Sequence, residues 1–177
     1  MDIKEQPSIL KMVLVSIPIL LLGFYFMVAL NTGDLLWFWP AFEEHPSGII
    51  IYCYGQEISL EYGSEAFERL TTLINEILSG RKRWDPLSMS DVTYQEYQTS
   101  PNMMTLALRF NPSVRIHSFY KFFSGVDTLI IPLDGRHAQT NAVFGQRSGK
   151  TTAGSLHVNT ISPLIEYIQE QSLCLKP

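Results

Sequence analysis

The hydrophobic positions of this chain follow two different patterns. From Met12 to Gly33 no residue is charged, and Met12–Leu30 reads MVLVSIPILLLGFYFMVAL. An α-helix rises about 1.5 Å per residue, so roughly 20 such residues cross a hydrocarbon core about 30 Å thick. Ser16, Pro18 and Gly23 are compatible with a span, because a hydroxyl can bond back to the helix and Pro and Gly are tolerated in lipid. Trp37, Phe38 and Trp39 follow at the depth where amphipathic rings favour the headgroup boundary, with Asp34 between them and the span. A buried core helix of this length would carry a polar stripe, which is missing. A cleaved signal has a shorter apolar run ending in a small-x-small site, and Val28-Ala29-Leu30-Asn31 does not supply one. The sequence therefore predicts an uncleaved single-pass anchor.

After residue 48 the pattern becomes that of a soluble domain. Ile49–Tyr54 is β-branched and aromatic, Glu57–Tyr62 alternates, and Gly55-Gln56 between them predicts a tight hairpin. Ser64 then caps a helix whose Phe67, Leu70, Leu73, Ile74, Ile77 and Leu78 share one face, with Gly80 as its stop. Trp84–Ser90 reads as loop. Strands are predicted at Val92–Tyr97, Met103–Phe110, Val114–His117, Val126–Pro132, Asn141–Gly145 and Ser155–Val158. Ser162-Pro163 opens a last helix that buries Leu164, Ile165 and Ile168. The expected fold class is α+β: one N-terminal transmembrane helix, then a small antiparallel sheet with two helices packed on one face. The expected segments are 1–11 inside, 12–33 across the membrane, 34–48 an interfacial aromatic stretch and linker, and 49–177 an extracytoplasmic domain.

Orientation follows from the flanking cations. Lys4 and Lys11 precede the span, and no Lys or Arg follows it until Arg69. Cations stay on the cytoplasmic side, so the sequence predicts a cell-membrane protein with its N-terminus inside and its C-terminal domain outside. Two cysteines, Cys53 and Cys174, are read equally well as a disulfide or as two small hydrophobes.

Charge changes the picture further. Residues 31–100 carry 4 basic and 11 acidic side chains, whereas residues 101–150 carry 6 basic (Arg109, Arg115, Lys121, Arg136, Arg147, Lys150) and 2 acidic ones. The domain is acidic first and basic later. A basic face on the later strands would suit lipid headgroups or an acidic partner, and the competing reading pairs the two halves across the sheet. Arg109, Arg115, Arg136, Arg147 and Lys150 are the candidate binding residues. The chain as a whole, at net charge −4, excludes a nucleic-acid role.

The motifs for chemistry are sparse. Gly145-Gln146-Arg147-Ser148-Gly149-Lys150-Thr151 resembles a phosphate loop, but it has three residues between its glycines where four are needed, and no helix pattern follows. It predicts a hairpin loop and no nucleotide. Pro132-Leu133-Asp134-Gly135-Arg136-His137 brings an acid, a cation and an imidazole to a strand end, where His137 could act as base, Asp134 as its orienting partner and His117 as a neighbour. The same residues are a turn signal on their own account. The four histidines show no metal-ligand spacing, and no nucleophile or cofactor motif occurs. Phe119–Phe123 reads as core aromatics, with a membrane-touching loop as the alternative. The functional expectation is a membrane-anchored binding or regulatory module with a protein, polymer or lipid partner. The alternatives are a hydrolase using Asp134, His137 and His117, and a structural subunit of a membrane assembly, which a small-residue packing face would favour but the span lacks.

Overall fold

The computed structural model describes residues 8–176, so the first seven residues of the expected inner segment lie outside the described residues. The uncharged stretch is one 24-residue helix, α1 (Ile9–Thr32). Ser16 Oγ donates to the Met12 carbonyl at 2.7 Å, which satisfies its hydroxyl inside an apolar surface. Gly33 closes the helix in the left-handed region, with its N–H on the Ala29 carbonyl. Only Val28, Ala29 and Thr32 of this helix are buried. No core covers it. Among the described residues it is the one helix long and apolar enough to cross a membrane.

The hairpin forms as strands β1 (Gly48–Cys53) and β2 (Gln56–Ser59), with Cys53 opposite Gln56. The two-residue turn is Tyr54-Gly55, one position earlier than the sequence predicts, and both residues take positive φ. That geometry matches the twist of a two-residue hairpin. The helix α2 (Glu65–Ser79) starts where Ser64 Oγ accepts from the Phe67 N–H at 3.3 Å.

Two local expectations are overturned. Lys82–Asp85, whose Trp84 and Asp85 fall in the expected loop, is strand β3. Val92–Tyr97, read as a strand, lies within helix α3 (Asp91–Thr99). Ser90 Oγ caps α3 by accepting from the Thr93 N–H at 3.1 Å, and Tyr94 and Tyr97 are its buried pair. Residues three apart share a helix face, so burial of this pair outweighs the β propensity of Val92 and Thr93.

The remaining strands are β4 (Met104–Arg115), β5 (Ser124–Asp134), β6 (Ala142–Arg147), β7 (Lys150–Thr151) and β8 (Ser155–Val158), followed by helix α4 (Ser162–Glu170). The two segments expected as Met103–Phe110 and Val114–His117 are one bulged strand, with the register shift between Arg109 and Val114. All pairings are antiparallel, in the order β2-β1-β4-β5-β6-β8-β3, with β7 paired to β6.

The α+β architecture is as the sequence predicts. On one face Ile49, Ile51, Leu106, Leu108, Leu129 and Ile131 pack under α2 and α4. The opposite face carries Ile50, Tyr52, Ala107, Ile130 and Phe144, and α3 covers it with Tyr94 and Tyr97. Burial on both faces explains why the central strands are almost continuously apolar. Cys53 and Cys174 form a disulfide that ties β1 to the C-terminal tail across 121 residues.

Candidate functional site

The sheet has two ends of different chemistry. β4 and β5 run antiparallel, with Arg115 opposite Ser124 at one end and Met104 opposite Asp134 at the other. β5 has 11 residues, so at about 3.3 Å per residue the two ends are roughly 30 Å apart. His117 lies just beyond the first end and His137 just beyond the second. They cannot share a substrate within hydrogen-bond reach.

At the end remote from α1, Asp134 and His137 have separate partners. The Asp134 carboxylate accepts from Tyr54 Oη at 2.8 Å, Lys176 Nζ at 2.9 Å and the Gly135 N–H at 2.8 Å. Burial pushes its pKa up, and these donors outweigh burial, holding it below the usual carboxylate range. Burial and the same hydrogen bond push the Tyr54 phenol up to about 12. His137 instead meets Tyr97, whose hydroxyl accepts from the His137 backbone N–H at 3.0 Å and lies 3.3 Å from its Nδ1. The hydroxyl can donate to an unprotonated Nδ1 or accept from a protonated one, so the contact is compatible with either neutral tautomer. Burial first, and the neighbouring Arg136 guanidinium second, lower the His137 pKa. Arg136 itself pairs with Glu96. The proposed Asp134–His137 couple is therefore not assembled. The turn reading of these residues is the one their bonds show.

A lowered His137 pKa predicts a pH effect on stability. The folded state binds a proton less readily than the unfolded chain, so the contribution is present above about pH 6.5 and is lost as pH falls through the lower folded value. Denaturant midpoints should decline as pH falls below about 6.5, and H137Q should flatten that part of the curve. An unchanged slope in H137Q would assign the dependence to other groups.

The end next to α1 is more elaborate. Asp34, 7% exposed, receives His117 Nδ1 at 2.9 Å on one oxygen, and its other oxygen accepts the Leu36 N–H at 2.9 Å and stands 4.0 Å from Arg115 Nη1. Arg115 also donates to the Gly33 carbonyl at the C-terminus of α1, where a cation suits the helix dipole. Residues 35–38 turn back along α1: Tyr25 Oη donates to the Leu35 carbonyl at 2.9 Å, and Trp37 meets Phe24 edge to face at 6.1 Å. From the domain side Phe119 packs on Trp37 at 4.3 Å between ring centroids. The aromatic run thus divides, with Phe123 fully buried and Phe119 half-exposed. Residues 40–47 continue as a strap fixed to the domain, since the Phe42 N–H and carbonyl both bond Ser79 Oγ and the Ser47 N–H bonds the Arg109 carbonyl.

Beside this junction is an open cleft of about 420 Å³, lined by Thr32, Lys121, Phe122, Ser124, Arg147, Lys150, Thr151, Thr152 and Ala153. Arg147 and Lys150 belong to the motif that resembled a phosphate loop, which folds as the β6–β7 hairpin with Ser148 and Gly149 at its turn. Of the five cations singled out from the sequence, Arg115, Arg147 and Lys150 thus gather at the α1 end. Arg136 is at the far end, and Arg109 is exposed on β4 opposite Gly48. Lys121 and Asp34 were not singled out. The sequence signals for them were a lone cation inside an aromatic run and a lone acid directly after the uncharged stretch. Among the described residues no group of three or more His, Cys, Asp or Glu could hold a metal ion. Comparison with protein-family models, with curated proteins and with solved structures finds no match.

Proposed function

We propose that this chain is a single-pass membrane protein, N-terminus inside, whose α+β domain sits directly on the outer membrane surface as a binding or regulatory module. The observation that carries this reading is the contrast within α1. Its length is left exposed by its own domain, while its last turn is held to that domain by buried Asp34 and by Arg115. Exposing this much contiguous apolar surface to water is unfavourable by about 25 cal/mol per Å², and lipid removes that cost. The stretch Met12–Leu30 rises about 27 Å, close to the hydrocarbon thickness. The back-folded residues 35–39 then lie beside its outer end, where Trp37 and Trp39 suit the interface. The Cys53–Cys174 disulfide supports an oxidising outer compartment.

Such a domain is not on a slack tether. Its junction and strap set its height and tilt over the bilayer, so any partner is met at a defined distance from the lipid. Ordering a binding face in this way lowers the entropy lost on association.

The test is topology in cells producing the chain with a different tag at each end. Alkaline extraction should leave the protein in the membrane fraction. External protease should remove the C-terminal tag and spare the N-terminal one. Recovery of intact protein in the soluble fraction, or loss of the N-terminal tag from the mature chain, would overturn the reading.

A further inference from the structure

The cleft beside the junction has the chemistry of an anion site, and nothing in the rest of the fold uses it. Lys121, Arg147 and Lys150 line one concavity together with the hydroxyl residues Ser124, Thr151 and Thr152 and the apolar Phe122 and Ala153. None of the three cations is in an ion pair among the described residues. Arg147 donates to the Ser124 carbonyl, which fixes its guanidinium at the cleft edge.

The carboxylates nearest this hairpin are turned to another task. Asp91 accepts the Thr151 N–H at 2.9 Å and Asp127 accepts the Ser148 N–H. Both carboxylates hold the hairpin backbone, and neither lines the cleft. Asp91 is near enough to feel Lys150, but no carboxylate forms an ion pair with any of the three cations among the described residues, so the cleft keeps a positive excess.

Position selects the chemistry further. Thr32, the last residue of α1, is part of the cleft wall. On the anchored reading, on which this inference rests, Thr32 stands about 3 Å beyond Leu30, the end of the apolar run, along the helix. The headgroup layer adds roughly 5–7 Å beyond the hydrocarbon on each side, so the cleft opens into it.

We propose that this cleft binds a phosphate oxyanion, presented by the headgroup of an anionic phospholipid at the foot of the domain. Lys121 and Lys150 supply the charge and Arg147 the oriented donors. A phosphate group engages such a set better than a carboxylate does, because it offers more acceptor oxygens to converging donors. The bound headgroup would brace the domain against tilting on its junction.

The experiment uses the full chain in nanodiscs containing phosphatidylcholine with a minor fraction of spin-labelled phosphatidylglycerol or spin-labelled phosphatidylcholine. The motionally restricted fraction should favour phosphatidylglycerol, and the K121Q/K150Q double variant should lower that preference by about fivefold for each lysine. R136Q, at the opposite end of the sheet, should leave it unchanged. Free glycerol phosphate added in the millimolar range distinguishes the source of the phosphate. Little displacement supports the lipid, whereas full displacement in the wild type but not in the double variant keeps the phosphate site and assigns it to a soluble ligand. Equal restriction of both lipids, unaffected by the double variant and by glycerol phosphate, would overturn the proposal. A chain that cannot be retained in nanodiscs fails the anchoring reading instead. Glycerol phosphate binding by the same protein in detergent, lost in K121Q/K150Q, then tests the cleft independently.

Discussion

Replacing Cys53 and Cys174 together with alanine is expected to cost the α+β domain the most stability of any two-residue change. The disulfide closes 121 residues, almost the whole domain, and loop-closure entropy for that length is worth about 5 kcal/mol. Native-state relaxation and residual structure in the unfolded chain reduce such values, so a loss of roughly 3–5 kcal/mol is expected, or about 10–20 °C in thermal midpoint. The structural consequence is local to one edge. The bond lies on β1 and holds the tail that brings Lys176 to Asp134 and over the Tyr54 ring at 5.6 Å. Without it that tail should become protease-sensitive before the sheet does. A double variant that melts within a few degrees of the wild type would show that the sheet and helices hold the tail unaided.

G154A is the second large effect. Gly154 has φ +75 and leads into β8, against the strand β3 that pairs with it. A Cβ there would lie 2.8 Å from the Asp85 carbonyl oxygen and would meet the Trp84 ring. Neither obstacle is the free end of a flexible chain. Trp84 is on β3 and stacks toward Phe122, and Asp85 is paired with Ser155 across the strands. Left-handed strain of about 1–2 kcal/mol adds to overpacking of about 1–3 kcal/mol. A loss of roughly 2–5 kcal/mol is expected, read as a denaturant midpoint shift with a change in Trp84 fluorescence. The Gly154 N–H also donates to Ser88 Oγ at 2.9 Å, so a weakened β3–β8 pair should loosen the loop before α3 as well. Stability equal to wild type would mean that β3 yields freely, contrary to its packing.

The junction has a wider implication for how this domain works. A linker of Pro, Glu and Ser between a span and a domain is ordinarily a spacer. Here residues 34–48 are committed throughout, first to α1 through Tyr25 and Phe24, then to the domain through Ser79 and Arg109. His117 and Arg115 approach Asp34 from the end of β4, so the core of the sheet and the end of the helix are mechanically joined. A force or a tilt on the helix would be transmitted directly to β4 and to the neighbouring cleft.

Some of this was legible in the residues alone. An uncharged run that long favours a helix that avoids water, so α1 followed from composition, although it starts at Ile9, three residues before the expected Met12. Ser64, the six apolar positions after it and Gly80 specify α2 through local rules that hold wherever the helix ends up. The strand pattern, the turn at Asp134-Gly135 and the hairpin at Ser148-Gly149 are equally local, because turn chemistry acts over a few residues. Where local rules were ambiguous they misled. Val92–Tyr97 has strand-forming residues, but the energy that decides is the burial of Tyr94 and Tyr97 against a sheet face made of residues before and after it in the chain. Lys82–Asp85 has no apolar alternation and becomes a strand only because β8 offers it a partner.

The site belongs entirely to tertiary structure. The charge asymmetry showed that cations were concentrated after residue 100, but distance along the chain does not say which end of a sheet each one reaches. Antiparallel pairing reverses direction at every turn, so His117 and His137, twenty residues apart, end on opposite ends, while Lys121 and Lys150 end on one. The sequence by itself determined that a helix long and apolar enough to cross a membrane precedes an α+β domain, since solvent preference and local propensity are properties of short segments. Which cations face the foot of that helix was decided only by strand order and register, which depend on every pairing at once.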